Sequence, residues 1–308
     1  MPIAARQRPP AGTLFLDHVS HFVPDLAAAA RALEALGFTV TPASAQRSQH
    51  GPAGTANVCV MLEAGYLEFL APTADTPNAQ RLRAAMRRYP GVHLACFGAP
   101  AAEDEHARLG WHGFAPLPLV RLQRRIALRG AKRTARFKVV RVPPQLMPEG
   151  RIQFVEQLTP QLLWQPQLVK HANGARGLAC VLVAADDCVA AAARWARFAA
   201  LLPQAAGAYV HLVTARGHAL IGTSASWAAL LGDAPAAPAL AGCALECADA
   251  DALAARCRSA GLALRRLRRD LYAVQLPAAL GGAWVFGSRA ALALDRSSRH
   301  RWGDARRF

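Results

Sequence analysis

Hydrophobic and polar positions repeat in the same order four times along the chain. Each repeat begins with an apolar run of about seven residues, which predicts a buried strand, and passes through a turn into an Ala-rich stretch with helical periodicity. A glycine or another small residue then ends the helix. The four repeats begin at Leu14, Gly91, Gly177 and Gly242.

Short strand-like runs follow the predicted helices. After the first helix these runs are FTV, ANVCVMLE and YLEFLAP, and after the fourth they are LALRRLRR, LYAVQL and AWVFGS. The repeating unit is therefore one strand, one helix and three strands, or βαβββ. One such unit cannot bury both its sheet and its helix. We therefore expect an α+β fold in which four βαβββ modules form two paired, curved mixed sheets with the helices outside.

This pairing predicts the organisation of the chain. Residues 13–168 form the first module pair and residues 169–290 the second, with the boundary in a segment that carries two prolines and two glycines. The flanking segments are basic. We expect residues 1–12 to be a disordered N-terminal tail and residues 291–308 to be a basic C-terminal tail.

Composition narrows the class of protein. The apolar content of 53% supports a sizeable core, but no stretch approaches the 18 or more uncharged apolar residues of a membrane span, so no membrane partner is expected. The start of the chain lacks the apolar segment of a secretory signal, which favours the cytoplasm. The seven cysteines form no C-x-x-C pair, so the sequence predicts neither a disulfide framework nor a thiolate zinc site.

The net charge of +16, carried mostly by arginine, raises the alternative of nucleic-acid binding. Such a protein would bind DNA or RNA with steep salt dependence. The chain has no helix-turn-helix or zinc-finger signature and only 7% aromatic residues, so we expect no nucleic-acid partner. Residues 121–141 contain nine Arg or Lys residues and no acid. This run is either the solvated face of a hairpin or a positive rim that attracts a carboxylate or phosphate substrate.

Two histidines and two glutamates occupy equivalent places in the first two modules. His18 and His93 lie on the first strands of their modules, and Glu68 and Glu156 lie on the last strands, which converge on the cleft of a module pair. Alternation places both glutamates on the more apolar strand face, where an unpaired charge is costly. A divalent cation would compensate them, and Mn, Fe, Ni, Zn or Co suits such ligands. Taken singly, a histidine on a strand is more often a hydrogen-bonded core residue than a ligand, and a single glutamate at an edge is usually solvated.

Four segments, LDHVSHFVPDLAAAARALEALGFTV, YLEFLAP, GVHLACFG and IQFVEQLTP, resemble the glyoxalase-like branch of the vicinal oxygen chelate superfamily. The resemblance covers roughly residues 13–176. It implies paired βαβββ modules and a divalent metal ion. Its ligands would be His18, Glu68, His93 and Glu156.

The resemblance also suggests residues that contact the substrate. The stretch GTANV is similar to a Gly-Thr-His-Asn stretch of relatives, so Asn57 is a candidate although Ala56 stands in the place of the histidine. His171, in HANGARG, is placed to reach the cleft or to be a solvated linker residue. Tyr66 and Phe154 share the strand faces of the two glutamates and complete the predicted contacts.

The second module pair departs from this pattern. Ala179 and Ala244 stand where the first pair has its histidines, and the last strand carries no acid. Residues 169–290 are therefore expected to bind no metal and to serve as a scaffold, a lid or the surface of a homodimer.

Together these expectations favour a metal-dependent glyoxalase/dioxygenase-like enzyme that binds a small substrate through vicinal oxygens. If Glu68 and Glu156 are both ligands, one of them could leave the metal and act as the base of an isomerase or lyase. If Glu68 is not a ligand, the other three residues form a 2-His-1-carboxylate triad that suits ring cleavage at Fe(II). The alternative is a non-catalytic protein of the same fold that binds or sequesters a small molecule.

Overall fold

The computed structural model describes residues 2–128 and 131–293. Its strands form two eight-stranded sheets. The elements of the first half are β1 (Phe15–Phe22), α1 (Leu26–Ala35), β2 (Ser44–Ser48), β3 (Gly51–Met61), β4 (Tyr66–Pro72), α2 (Pro77–Arg88), β5 (Gly91–Gly98), α3 (Ala102–Trp111), β6 (Val120–Leu128), β7 (Ala131–Arg141), β8 (Arg151–Gln157) and α4 (Pro160–Leu163).

The second half repeats the same order of strands and helices. It comprises β9 (Ala175–Ala184), α5 (Cys188–Ala199), β10 (Pro203–Ala206), β11 (Tyr209–Val213), β12 (His218–Gly222), α6 (Ser224–Leu231), β13 (Ala239–Cys247), α7 (Ala250–Ser259), β14 (Leu264–Arg268), β15 (Leu271–Gln275), β16 (Ala283–Gly287) and α8 (Arg289–Leu292). The α+β class predicted from the hydrophobic pattern is confirmed.

The first sheet closes into a barrel with the strand order β1-β4-β3-β2-β6-β7-β8-β5. β1 pairs with β4 and β5 with β8 in parallel, and β1 and β5 run antiparallel at the centre. Closure depends on the pairing of β2 with β6, in which Gln46 lies opposite Arg124 and Ser48 opposite Leu122. The sequence predicted a curved sheet around a cleft, whereas the structure has a closed wall around an interior.

The second sheet is not closed and has the order β10-β11-β12-β9-β13-β16-β15-β14. Its central antiparallel pair is β9 with β13, and each of these strands has a parallel neighbour, β12 or β16. Three of the four helices that follow the first strand of a module begin at an acid. The side chains of Asp25, Asp187 and Asp249 accept hydrogen bonds from backbone N–H groups in the first turns of α1, α5 and α7.

The two halves share a continuous hydrophobic core, because the outer face of β1 and β5 packs against the second half. His21 lies in this contact and is fully buried. Its Nδ1 atom donates to the carbonyl oxygens of Leu280 and Gly281, each at 3.1 Å, and its Nε2 atom accepts from Trp284 Nε1 at 3.1 Å. The neutral tautomer with a proton on Nδ1 satisfies all three partners.

Burial lowers the pKa of His21 from its ordinary 6.5 to about 4, although the two carbonyl acceptors oppose the shift. We expect NMR of the imidazole to show His21 neutral down to about pH 4, with its resonance identified by its loss in a His21→Gln variant. Since the unfolded chain binds this proton near pH 6.5, stability is lost as the pH falls from there towards 4, by on the order of 3 kcal/mol. Titration of His21 near pH 6.5 in the folded protein would contradict this account.

The N-terminal segment is packed, contrary to the expected disordered tail. Ile3–Gln7 form a 3-10 helix that contacts α4, and Gln7 is fully buried. The Gln7 amide donates to the carbonyl oxygen of Glu63 at 2.8 Å and accepts from Arg216 Nη1 at 2.8 Å. A polar residue is buried here because backbone and guanidinium partners satisfy it, which composition alone does not reveal. At the other end, residues 294–308 of the predicted C-terminal tail lie outside the described residues.

No helix in the described part of the chain has both the length and the apolar character needed to cross a membrane.

Candidate functional site

The barrel interior contains a cavity of about 50 Å³ that is lined by polar and charged side chains together with apolar ones. At the end where Arg141 and Arg151 lie, the interior adjoins a groove of about 620 Å³, and both arginines line the cavity and the groove. The polar and charged side chains that line the cavity include His18, Asn57, Glu68, Arg124, Arg141 and Arg151. A charged interior of this kind is costly unless it serves a ligand or a closed network of partners.

His18 enters the interior beside its neighbour Asp17. The ladder between β1 and β5 is irregular at this point, and Asp17 is the extra residue on β1. Its Oδ1 atom lies 2.7 Å from His18 Nδ1, and the imidazole stacks on Tyr66 with ring centroids 4.4 Å apart. Burial acts to lower the pKa of His18, but the Cys96 sulfur and the Asp17 carboxylate outweigh it and raise this pKa well above 6.5. Asp17 therefore favours the protonated form of the imidazole.

Glu68 is held in a chain of hydrogen bonds across the interior. Its Oε1 atom accepts from Asn57 Nδ2 at 2.5 Å and from Gln46 Nε2 at 3.1 Å. The Asn57 Oδ1 atom in turn accepts from Arg124 Nη1 at 2.9 Å. Arg124 is only 6% exposed, and its Nε atom has no partner among the described residues. The amide of Asn57 thus links a buried guanidinium to a buried carboxylate.

Arg141 and Arg151 crowd together at the mouth of the barrel. Arg141 Nε donates to Gln153 Oε1 at 3.3 Å, and Arg151 Nη2 donates to Asn78 Oδ1 at 3.2 Å, so both partners are neutral. Burial, with Arg141 and Arg81 as further causes, lowers the pKa of Arg151 to about 9. Burial and Arg81 also lower the pKa of Arg141. The two guanidiniums stay charged at neutral pH at an electrostatic cost that an anion between them would relieve.

His93 does not reach the interior, and the prediction that it meets His18 is wrong. His93 is the extra residue where Ser20 pairs with Leu94 and His21 with Val92, so a bulge breaks the alternation. Its Nε2 atom donates to the carbonyl oxygen of Tyr89 at 2.9 Å, and burial lowers the pKa of His93 to about 4. The ring lines the groove outside the barrel.

Glu156 also lies outside the barrel, which corrects its predicted roles as ligand and base. Its Oε2 atom accepts from the backbone N–H of Ala102 at 3.0 Å, at the start of α3, and lies 3.2 Å from Lys138 Nζ. The reason lies in the face of β8. The apolar residues Ile152 and Phe154 point outward to the main core, and Gln153 points inward.

Of the predicted substrate contacts, Asn57 and Tyr66 line the cavity and the other two do not. Phe154 stacks on Phe198 of the second half, with ring centroids 4.8 Å apart. His171 joins the linker to the first half: its Nδ1 atom accepts from the backbone N–H of Thr39 at 3.0 Å and its Nε2 atom donates to Met61 O at 2.8 Å.

The interior arginines were not predicted as site residues. The run 121–141 was recognised as unusually basic, and most of its side chains are exposed, but Arg124 and Arg141 turn inward. Alternation could have found Arg124, because it shares a strand face with Leu122 and Ile126 on β6. Arg151 begins β8 on the same face as Gln153, opposite to the face of Glu156 that was predicted to line the cleft.

The donor set does not fit the predicted four-ligand metal site. His18 and Glu68 face the cavity, but the second module contributes Cys96, Gln153 and guanidinium groups at the corresponding inward places. Within residues 2–128 and 131–293, no group of three or more His, Cys, Asp or Glu residues is placed to hold an ion. Three guanidiniums also make this interior unfavourable for a divalent cation.

A barrel with this strand order, built from strand–helix–strand elements around a polar interior, is the architecture of the vicinal oxygen chelate superfamily. The model of the family described as "Glyoxalase-like domain" matches residues 16–199, and the chain belongs to that family. No curated protein matches the sequence.

Three solved structures are similar to this chain at low sequence identity, and two of them, with TM-scores above 0.5, share its fold. A hypothetical protein from Staphylococcus aureus is 12% identical with a TM-score of 0.64, covering 89% of this chain and 99% of its own. A xylose isomerase-like TIM barrel/4-hydroxyphenylpyruvate dioxygenase fusion protein is 13% identical with a TM-score of 0.54, covering 91% of this chain and 49% of its own. A triple mutant of 4-hydroxymandelate synthase from Streptomyces coelicolor is 15% identical with a TM-score of 0.48, covering 90% and 94%.

Proposed function

We propose that the barrel binds a small organic anion, with its carboxylate or an equivalent group between Arg141 and Arg151 and its body in the adjoining groove. The observation that carries this proposal is the charge of the interior, where three guanidiniums face a single cavity-lining carboxylate, Glu68. Glu68 is already engaged by Asn57 and Gln46. The positive charge at the mouth is therefore left for a ligand to neutralise.

The groove supports the same choice of ligand. Its lining combines the apolar surfaces of Phe22, Met147 and several prolines with the guanidiniums of Arg81 and Arg88, and no acid lines it. A volume of about 620 Å³ lies in the range of pockets for drug-sized molecules. The interior cavity, at about 50 Å³, has room for an anionic head group and not for a whole ligand.

His18 gives the site its capacity for proton transfer. Asp17 holds its Nδ1 atom and raises its pKa, which favours the protonated form that can donate a proton. Any conversion of the bound anion that needs a proton is assigned to His18. Binding without conversion uses the same residue as a further positive charge.

A matched pair of ligands tests the proposal. Each member of a panel of aromatic and aliphatic carboxylates is compared with its neutral amide by isothermal titration calorimetry. We expect the carboxylate to bind at least about tenfold more tightly, because the amide cannot form charge-assisted hydrogen bonds with the guanidiniums. Chelator-treated protein should bind the carboxylate equally well. Equal affinity of acid and amide across the panel would refute the proposal.

Metal-dependent chemistry, the function favoured by the sequence, is the second candidate. It is supported by His18 and Glu68, which line the same cavity in the first module. This candidate requires that treatment with a chelator abolish carboxylate binding and that a His18→Ala variant lose a stoichiometric metal ion. The same titrations therefore separate the two functions.

A further inference from the structure

Two histidines meet on the second sheet, in the half where the sequence predicts no metal ligands. His211 lies on β11 and His218 on β12, and these strands pair with Val213 opposite His218 and His211 opposite Leu220. The two rings make a T-shaped contact with centroids 4.6 Å apart and an interplanar angle of 84°. This pair is far from the barrel site in sequence and belongs to a different sheet.

Both imidazoles carry an unsatisfied nitrogen. The Nε2 atoms of His211 and His218 are buried and have no hydrogen-bond partner among the described residues, so no hydrogen bond joins the two rings. An unpaired buried polar atom costs about 1–3 kcal/mol, and two side by side call for a shared partner.

The protonation state favours a metal ion as that partner. Burial lowers the pKa of His211, and burial together with His211 lowers the pKa of His218 to about 3. Both rings are therefore neutral at pH 7 and keep the lone pair with which imidazole binds metals.

The spacing of the rings is also that of two ligands on one ion. With metal–nitrogen distances of about 2.0–2.1 Å, two imidazoles bound at angles between about 90° and 110° have centroids about 4.5–5 Å apart. The observed 4.6 Å lies within this range. We propose that His211 and His218 form a two-imidazole site for a first-row divalent ion of the class that prefers nitrogen ligands, namely Co²⁺, Ni²⁺, Cu²⁺ or Zn²⁺, with water in the remaining positions.

Such an ion would link β11 to β12, whose connecting turn contacts the barrel. The turn between β11 and β12 accepts a hydrogen bond from the backbone N–H of Leu16 on β1 through Arg216 O, at 2.7 Å. A bound ion therefore stabilises the contact between the two halves next to Asp17 and His18.

Titration of the full chain with Cu²⁺ and Ni²⁺ tests the site. We expect one ion to bind with at least about tenfold lower affinity in His211→Gln and in His218→Gln, because each variant removes one of two ligands. His112→Gln, at an exposed position, is the matched control and should bind as the wild type does. Unchanged affinity in both pair variants, or loss of binding in His18→Gln instead, would overturn the proposal.

A spectroscopic measurement on the wild-type protein tests the site without relying on variants, which could misfold. Electron paramagnetic resonance of the Cu²⁺-loaded chain should show coupling to two imidazole nitrogens. Coupling to one nitrogen or to none would show that the pair does not share the ion, whatever the variants do.

Discussion

Replacing Arg151 with methionine is expected to make the protein more stable while it loses its ligand. Burial and the neighbouring guanidiniums oppose the charge of Arg151, and its hydrogen-bond partner, Asn78, is neutral. Methionine removes that repulsion and fills similar space, so we expect the free energy of unfolding to rise by about 1–2 kcal/mol. The same change removes a charge-assisted contact, so carboxylate affinity should fall about 10- to 100-fold.

Denaturant unfolding and calorimetric titration measure the two effects on the same protein sample. Arg87→Met is the matched control, because Arg87 lies exposed at the end of α2 and does not line the groove. It should change neither quantity by more than about 0.5 kcal/mol. A variant that is destabilised while it keeps its affinity would show that Arg151 is a structural residue and not part of an anion site.

Replacing Trp284 with alanine is expected to destabilise the whole chain by about 3–5 kcal/mol. Trp284 is fully buried, its indole N–H donates to His21, and its ring packs on Phe38 of the first half. The substitution opens a cavity in the shared core and leaves the Nε2 atom of His21 without its partner.

Urea unfolding followed by far-UV circular dichroism and by tryptophan fluorescence measures this loss. The matched control is Trp111→Ala, because Trp111 is 84% exposed at the end of α3 and its loss should cost less than about 0.5 kcal/mol. We expect the two probes to give one coincident transition in wild type and variant. A loss below about 1 kcal/mol at position 284 would contradict a shared core.

Local signals predicted the elements of this fold well. The acids Asp25 and Asp187 cap the starts of their helices, and such a signal can be read locally because a cap depends only on residues within one turn. Closure of the barrel could not be predicted in this way. It depends on pairs such as Gln46 with Arg124, which are far apart in sequence, and alternation within one strand does not identify the partner strand.

The candidate residues of the first module face the barrel interior as alternation predicts, whereas those of the second module do not. Glu68 and Tyr66 face the interior as alternation on β4 requires. The rule that the apolar face lines the cleft fails on β8, because its apolar face packs against the helices and the second half. The orientation of His93 was predicted wrongly for another reason. A bulge shifts the alternation by one residue, and the pattern of hydrophobic positions does not reveal it.

Because β1 and β5 are buried on both faces, the first half of the chain cannot be separated from the second half without exposing apolar surface. These two strands present one face to the ligand chamber and the other to the shared core. A fragment ending near residue 168 would expose His21, Val19 and Phe97 to water along the strands that carry His18 and Cys96. The residues that line the cavity come from the first sheet, and the second sheet supports them from behind. Substitutions in the second half that weaken this packing are therefore expected to change ligand binding without contacting the ligand.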